Sequence, residues 1–230
     1  MTRIKNRMRG LLRPVSHFLI VLLMIFAATL SGCAKQPQLT DYVSEYRNNL
    51  FLYDGESFFV KAQNSRKEYP YVADGYVSEM TCRAEFFITP PPDVQSCQIF
   101  FTVDGIQHGG EASFDRTKRQ FYYSCAANVA EVETLPVRLQ FDDAETEITL
   151  TSVKSPDLLS LKALLSKLFA AEGERLKKLT RNGAFEGELY VRILYEDAPY
   201  FYVGVVDRQG DITAYLLGGK TGEILAKRTD

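Results

Sequence analysis

One stretch of this 230-residue chain carries a helical period, and it comes late. In SLKALLSKLFAAEGERLKKL, residues Leu161, Leu164, Leu165, Leu168, Glu172, Leu176 and Leu179 recur at i, i+3, i+4, i+7 spacing, with lysines and glutamates elsewhere. From about Thr40 to Val153 the chain carries short β-branched and aromatic segments separated by turn residues. A helix with a single apolar stripe needs a sheet to cover it. The period change at Lys154–Ser160, through Ser155-Pro156, therefore divides a set of strands from a helix-on-sheet unit.

The first part reads as all-β. LFLYDGESFFVKAQ holds two apolar runs around Asp54-Gly55, and CQIFFTVDGIQ repeats the Asp-Gly signal of a hairpin. GYVSEMTCRAEFFI, RQFYYSCAA, PVRLQF and TEITLTSV continue the strands. Between them lie turn residues: PPPD at 90–93, HGG at 108–110, DRTKR at 115–119 and DDAE at 142–145. Seven or eight short strands at this spacing predict a β-sandwich of immunoglobulin-like type over residues 41–154.

In the second part Ser160 is the expected N-cap and Asn182-Gly183 the expected C-cap of the helix. Gly173 inside it costs about 1 kcal/mol against alanine, so a bend is expected there. GELYVRILYED, PYFYVGVVDRQG and DITAYLLGG follow as strands, with another at GEILAKR. The pieces SLKALL (160–165), YFYVGVVDRQG (200–210) and KTGEILA (220–226) resemble the PepSY domain. That resemblance covers residues 155–230 and implies a helix packed on a small antiparallel sheet. It further implies binding or inhibition near the cell surface, with no catalytic residues to carry over.

The other end of the chain carries an address. MTRIKNRMRGLLR holds Arg3, Lys5, Arg7, Arg9 and Arg13 with no acidic residue, and a short apolar core follows from Val15 to Leu30. These are the first two parts of a secretory signal. The core is short for a membrane span, which takes roughly 20 apolar residues. It ends in Leu30-Ser31-Gly32-Cys33, which resembles the lipobox of bacterial lipoproteins. The resemblance implies cleavage between Gly32 and Cys33, a diacylglycerol on the Cys33 thiol with palmitate-type chains, and Cys33 as the new N-terminus. Residues 1–32 are then the signal peptide and 33–40 a polar tether. The resemblance further implies that the folded part sits outside the cytoplasm, lipid-anchored to the cell membrane.

Removal of residues 1–32 takes five of the 27 basic residues and none of the 29 acidic ones, leaving 22 against 29, a net charge of −7. That sign argues against nucleic acid as a partner. Beyond Cys33 the cysteines are Cys82, Cys97 and Cys125, which permit at most one intramolecular disulfide, with the pair left open. His108 is the only histidine after residue 32, so any His-dependent triad or metal site has to use it. Its place before Gly109-Gly110 reads as turn chemistry. Asp142, Asp143, Glu145 and Glu147 lack the spacing of a calcium loop and read as a solvated hairpin tip. No catalytic residue, cofactor or metal is expected.

Tyrosines are the recognition candidates. Tyr69, Tyr71 and Tyr76 surround Pro70 and Gly75 in a loop, where a rigid ring with a polar tip suits partner binding. Tyr200 and Tyr202 alternate in a strand and read as packed across a sheet. Two functions remain open: a non-catalytic envelope lipoprotein binding a protein or peptide, or a peptidase inhibitor or enzyme accessory acting through the PepSY-like end.

Overall fold

Residues 37–68 and 78–229 are described by the structure, a computed structural model. A 3-10 turn, Leu39–Tyr42, leads into β1 (Val43–Asp54) and β2 (Phe59–Glu68). Then come β3 (Met80–Thr89), β4 (Cys97–Val103), β5 (Ile106–Glu111), β6 (Ser113–Asp115), β7 (Gln120–Cys125), β8 (Thr134–Phe141) and β9 (Ala144–Ser152). The helix α1 (Leu161–Lys178) follows, then a small hairpin of β10 (Thr180–Arg181) and β11 (Ala184–Phe185). The chain closes with β12 (Glu188–Tyr195), β13 (Pro199–Val206), β14 (Ile212–Gly218) and β15 (Ile224–Thr229). The protein is mainly β, as the sequence predicts, and α1 is the single α-helix among the described residues.

All strands but β10 and β11 belong to one large sheet that curls nearly into a barrel. Its main path runs β15-β14-β13-β12-β1-β2-β3-β7-β6. Strand β9 pairs with the far end of β1 and leads through β8 to β4 and β5. Every described pairing is antiparallel except that of β1 with β12.

Two cores follow from this path. Phe51, Val60, Phe86, Ile88 and Phe121 from β1, β2, β3 and β7 meet Ile99, Phe101, Leu135, Leu139 and Leu150 from β4, β8 and β9. Leu164, Leu165, Leu168 and Leu176 of α1 share the second core with Val191, Ile193, Phe201, Val203 and Val205. Leu39, Val43 and Leu50 also belong to the second core, although they precede the helix by more than a hundred residues in sequence. Successive strand residues point to opposite sides, so Leu50 enters the helix core and Phe51 the sandwich core. The sheet is thus continuous across the division expected at 154/155.

Local chemistry departs from expectation at three places. The helix ends at Lys178 with Leu179 as its cap, not at Asn182-Gly183. Those two residues have φ of 52° and 81° and join β10 to β11. A two-residue hairpin turn of type I′ requires that left-handed pair, and Asn-Gly serves it well. His108-Gly109-Gly110 lies inside β5 rather than in a turn, with Gly109 opposite Phe100. A Cβ on Gly109 would stand 2.5 Å from the Ile99 carbonyl oxygen, so the close strand approach needs glycine there. The bend of α1 falls at Glu172 (φ −116°, ψ 19°), beside Gly173. Glu172 accepts hydrogen bonds there from the Tyr215 hydroxyl at 3.2 Å and from Lys227 at 2.7 Å.

Ser160 caps the helix as expected, its hydroxyl accepting from Ala163 N at 3.3 Å. Among the described residues no helix is long and apolar enough to cross a membrane.

Candidate functional site

Strand register brings distant polar residues into rows. The parallel pairing of β1 with β12 sets Arg47 opposite Arg192 and Glu45 opposite Tyr190. On the other side of β1, Arg47 lies opposite Ser65 and Glu45 opposite Lys67. Ser65 in turn faces Arg83 and Gln63 faces Glu85 on β3, while Arg192 faces Tyr202 on β13. Directly paired residues project to the same face. One row therefore reads Tyr202, Arg192, Arg47, Ser65, Arg83 across five strands.

Buried carboxylates hold this face in place. Glu45, whose side chain is only 5% exposed, accepts from Arg47 Nε at 2.6 Å. It also accepts from Arg192 Nε at 2.6 Å and Nη2 at 3.3 Å. The Arg192 guanidinium lies 5.3 Å from the Tyr202 ring centre and 6.0 Å from that of Tyr190. Glu85 accepts from Gln63 Nε2 at 2.8 Å, the Tyr122 hydroxyl at 3.0 Å and Lys67 Nζ at 3.4 Å. Glu188 accepts from the Ser44 hydroxyl at 3.0 Å. Arg83 donates to the Ser124 hydroxyl at 2.7 Å and the Ser124 carbonyl at 3.2 Å.

The ionisation states reflect these contacts. Burial works against the Glu85 carboxylate. The Gln63 amide, Lys67, the Tyr122 hydroxyl and Arg47 together outweigh it and hold its pKa below the ordinary value. Burial, then the Glu188 carboxylate, push the Tyr190 hydroxyl up to about 12. Burial, then the charge on Arg47, lower the Lys61 pKa. Five cations (Arg47, Lys61, Lys67, Arg83, Arg192) thus share this face with three carboxylates (Glu45, Glu85, Glu188). The surface is rich in N–H donors and positive charge. Ser65, 1% exposed, has a hydroxyl without a hydrogen-bond partner.

Of the residues singled out from sequence, Gly32 and Cys33 lie outside the described residues, as do Tyr69, Tyr71 and Tyr76. Glu68 and Met80 are paired at the two sides of segment 69–77, and Glu68 accepts from Ser78 N at 2.6 Å. Tyr200 donates to Asp197 at 2.6 Å, while Tyr202 joins the arginine row. His108 stacks on Phe101, ring centres 5.3 Å apart. Cys82, Cys97 and Cys125 are free thiols on β3, β4 and β7. Burial pushes Cys97 up to about 12 and raises Cys125, which keeps both protonated and poor nucleophiles.

The acidic tip at 142–145 is structural. Asp142 sits in the two-residue turn joining β8 to β9 at φ 49° and accepts from Ser96 N at 2.8 Å and Gln95 N at 3.1 Å. Those backbone bonds lower its pKa. Glu145 pairs with Arg138 at 2.7 Å. Among the described residues no three His, Cys, Asp or Glu side chains converge as a metal site.

Sequence reading missed the arginine row. Its signal was present as polar residues at alternate positions, Lys61-Gln63-Ser65-Lys67 and Arg83-Glu85, which a strand presents on one face. The alignment of Arg47 with Arg192 is set by a parallel pairing that no local pattern announces. No family model, no curated protein and no solved structure matches this chain.

Proposed function

We propose that this chain is an exported, non-catalytic lipoprotein, anchored to the outer side of a cell membrane through Cys33, that binds a protein or peptide partner. The observation that carries the binding part is the arginine row. Two of its arginines, Arg47 and Arg192, are fixed by Glu45, yet their side chains remain 25% and 31% exposed. Rigid arginines flanked by tyrosines are the side chains that dominate protein interfaces, because little entropy is lost when they are ordered beforehand. The anchoring part rests on the basic leader and on Leu30-Ser31-Gly32-Cys33. Two acyl chains suffice for stable attachment, at about 0.8 kcal/mol per buried CH₂.

The finer fold assignment is also our reading. Two facing groups of strands around an aromatic core support the immunoglobulin-like sandwich for β1–β9, with β1 shared. A helix over four sequential antiparallel strands supports the PepSY-like reading of α1 and β12–β15. The same feature favours a second function, an inhibitor or accessory of a secreted peptidase. A peptidase encoded next to this chain would support it.

Metabolic labelling with a palmitate analogue and membrane fractionation test the anchor. Cys33→Ser should lose the label and leave the membrane fraction. For binding, crosslinking of the tagged chain in intact cells should capture a defined partner. The double variant Arg192→Gln with Tyr202→Ala should lose that partner while keeping the lipid. Capture undiminished by the double variant places the contact elsewhere.

A further inference from the structure

The helix α1 differs in charge from the rest of the chain. Residues 37–154 hold 10 basic and 18 acidic residues, a net charge of −8. Residues 160–181 hold six basic and two acidic ones, a net charge of +4. Both of those acids are already engaged. Glu172 accepts from Lys227 at 2.7 Å, and Glu174 accepts from Lys177 at 3.0 Å. Lys162, Lys167, Lys178 and Arg181 are exposed and make no salt bridge among the described residues.

Helical geometry gathers these cations. Leu164, Leu165, Leu168 and Leu176 face the core, so Lys162, Lys167, Lys177 and Lys178 fall on the opposite half of α1. Between them lie Ser166, Ala170 and Ala171, also exposed, whose short side chains leave the lysine stems free to extend outward. From Lys162 to Lys178 this face runs roughly 24 Å. None of the large apolar residues that stand exposed among the described ones lies on α1. The face is therefore suited to charge contact and not to insertion into hydrocarbon. The chain also enters its fold here. Leu39 is buried in the helix core with Leu176 and Phe185, and the Tyr42 ring meets Phe185 edge-on, centres 5.4 Å apart. Phe185 lies in the hairpin directly after α1, so Leu39 sits beside the end of the helix that carries Lys177 and Lys178. The chain from Cys33 to Leu39 reaches about 20 Å at most, less than the length of the lysine face.

We propose that the exposed face of α1 rests on the anionic phospholipid headgroups of the membrane that holds the Cys33 lipid. The inference rests on the reading of Cys33 as an anchor and adds a second membrane contact to it. A lipid chain and a polybasic patch together hold a protein where one signal alone is marginal. Lysine ammonium groups are compact hydrated charges on flexible stems, which follow a fluid layer of phosphates. Each lysine held near an anionic leaflet favours the docked state about fivefold. The tether settles the choice between a lipid surface and an acidic protein. It keeps the bilayer at high effective concentration beside α1, whereas a free protein has to arrive by diffusion. The acidic sandwich is repelled by the same leaflet within a Debye length of about 8 Å, which favours the orientation with α1 toward the membrane.

The test adds the lipidated chain, purified in detergent, to preformed vesicles of phosphatidylcholine alone or with about one-third phosphatidylglycerol. Flotation first shows that the chain is bound to both. Lysine acetylation rates are then read by mass spectrometry, with the exposed Lys118 of the β6–β7 turn as the reference. Lys162, Lys167 and Lys178 should react about fivefold more slowly on the anionic vesicles than on the neutral ones. About 1 M salt, where the Debye length is about 3 Å, should restore their rates. Lys118 should react equally on both. In the triple variant Lys162→Gln, Lys167→Gln and Lys178→Gln, the remaining Lys177 should lose its protection. Flotation and Tm should stay unchanged there, because the three side chains point to water.

Equal rates on the two kinds of vesicle overturn the proposal, as does protection of Lys118 to the same degree as the helix lysines. Protection by soluble polyglutamate with none by anionic vesicles also overturns it, in favour of an acidic protein partner. A chain that floats with both vesicles while its helix lysines stay unprotected leaves the anchor reading standing and sinks this inference alone. A chain that floats with neither sinks both.

Discussion

The two cores of this protein are assembled by opposite rules. The sandwich core draws its side chains from strands that follow one another in sequence, β1 to β9, and its aromatic rings pack between facing strands. The helix core takes most of its residues from 158–224 but completes itself with Leu39, Val43 and Leu50. The first stays within residues 51–150, though it also needs the non-hairpin pairings of β3 with β7, β4 with β8 and β1 with β9. The second needs a strand contributed across the chain by a parallel pairing. The difference teaches that a change of hydrophobic period marks a change of element, not a boundary between independent units.

The sharpest way to break that comparison is to express residues 155–230 alone. Without β1 the unit loses the burial of three apolar side chains, each worth about 1.5–3 kcal/mol, and the neighbour of β12. We expect an unfolded fragment by circular dichroism and amide dispersion. A cooperatively folded fragment would show the helix core to be self-sufficient. In the intact chain, proteolysis at the exposed Pro156-Asp157 turn should leave the two pieces associated on gel filtration.

Single substitutions sharpen it further. Phe86→Ala in the sandwich core should cost about 3–5 kcal/mol, and Leu165→Ala in the helix core about 2–5 kcal/mol, from lost transfer energy and the cavity left behind. Lys167→Ala, on the exposed side of α1, should cost less than about 0.5 kcal/mol. Urea unfolding followed by Tyr fluorescence measures all three. A lysine variant as damaging as the leucine variant means that the stripe is misassigned.

The carboxylates joining the two regions give a smaller effect with a sign. Glu45→Gln should cost about 2 kcal/mol, since it weakens charge-assisted bonds to Arg47 and Arg192. The folded-state pKa of Glu85 lies below its ordinary value of 4.5. Its stabilisation is therefore present above about pH 4.5 and is lost as pH falls through the lower folded value. Thermal unfolding from pH 6 downward should show this loss in the wild type, and Glu85→Gln should remove part of the slope. Smaller than the Glu45 effect is that of Gly183→Ala, where φ of 81° strains a side chain by about 1 kcal/mol and loosens the β10–β11 turn.

Much of the local structure was legible. Short apolar and aromatic segments marked β2, β3, β4, β7, β8 and β9, Asp104-Gly105 marked its hairpin, and the leucine stripe marked α1 together with the residues it buries. Where reading failed, a second use of the same residues explains it. Asn182-Gly183 suits a helix end and a hairpin turn equally, and the hairpin took it. The first half of β1, VSEYRNN, is polar because its residues build a charged face, so it carried no apolar alternation to read. The same polarity hid the candidate site.

By itself the sequence determined the strand-rich class, the one amphipathic helix and its buried side, because those depend on periods of two and 3.6 residues within a dozen positions. It also carries the basic and then apolar run of residues 1–30 and the Leu30-Ser31-Gly32-Cys33 pattern, which are linear features. Only the tertiary structure decided that β1 lies beside β12, that Leu50 and Phe51 enter different cores, and that Arg192, Arg47, Ser65 and Arg83 form one row. Those facts depend on the register of strands separated by up to about 145 positions in sequence, with Arg47 opposite Arg192. Register is set by how whole faces bury, and no short window of residues contains that information.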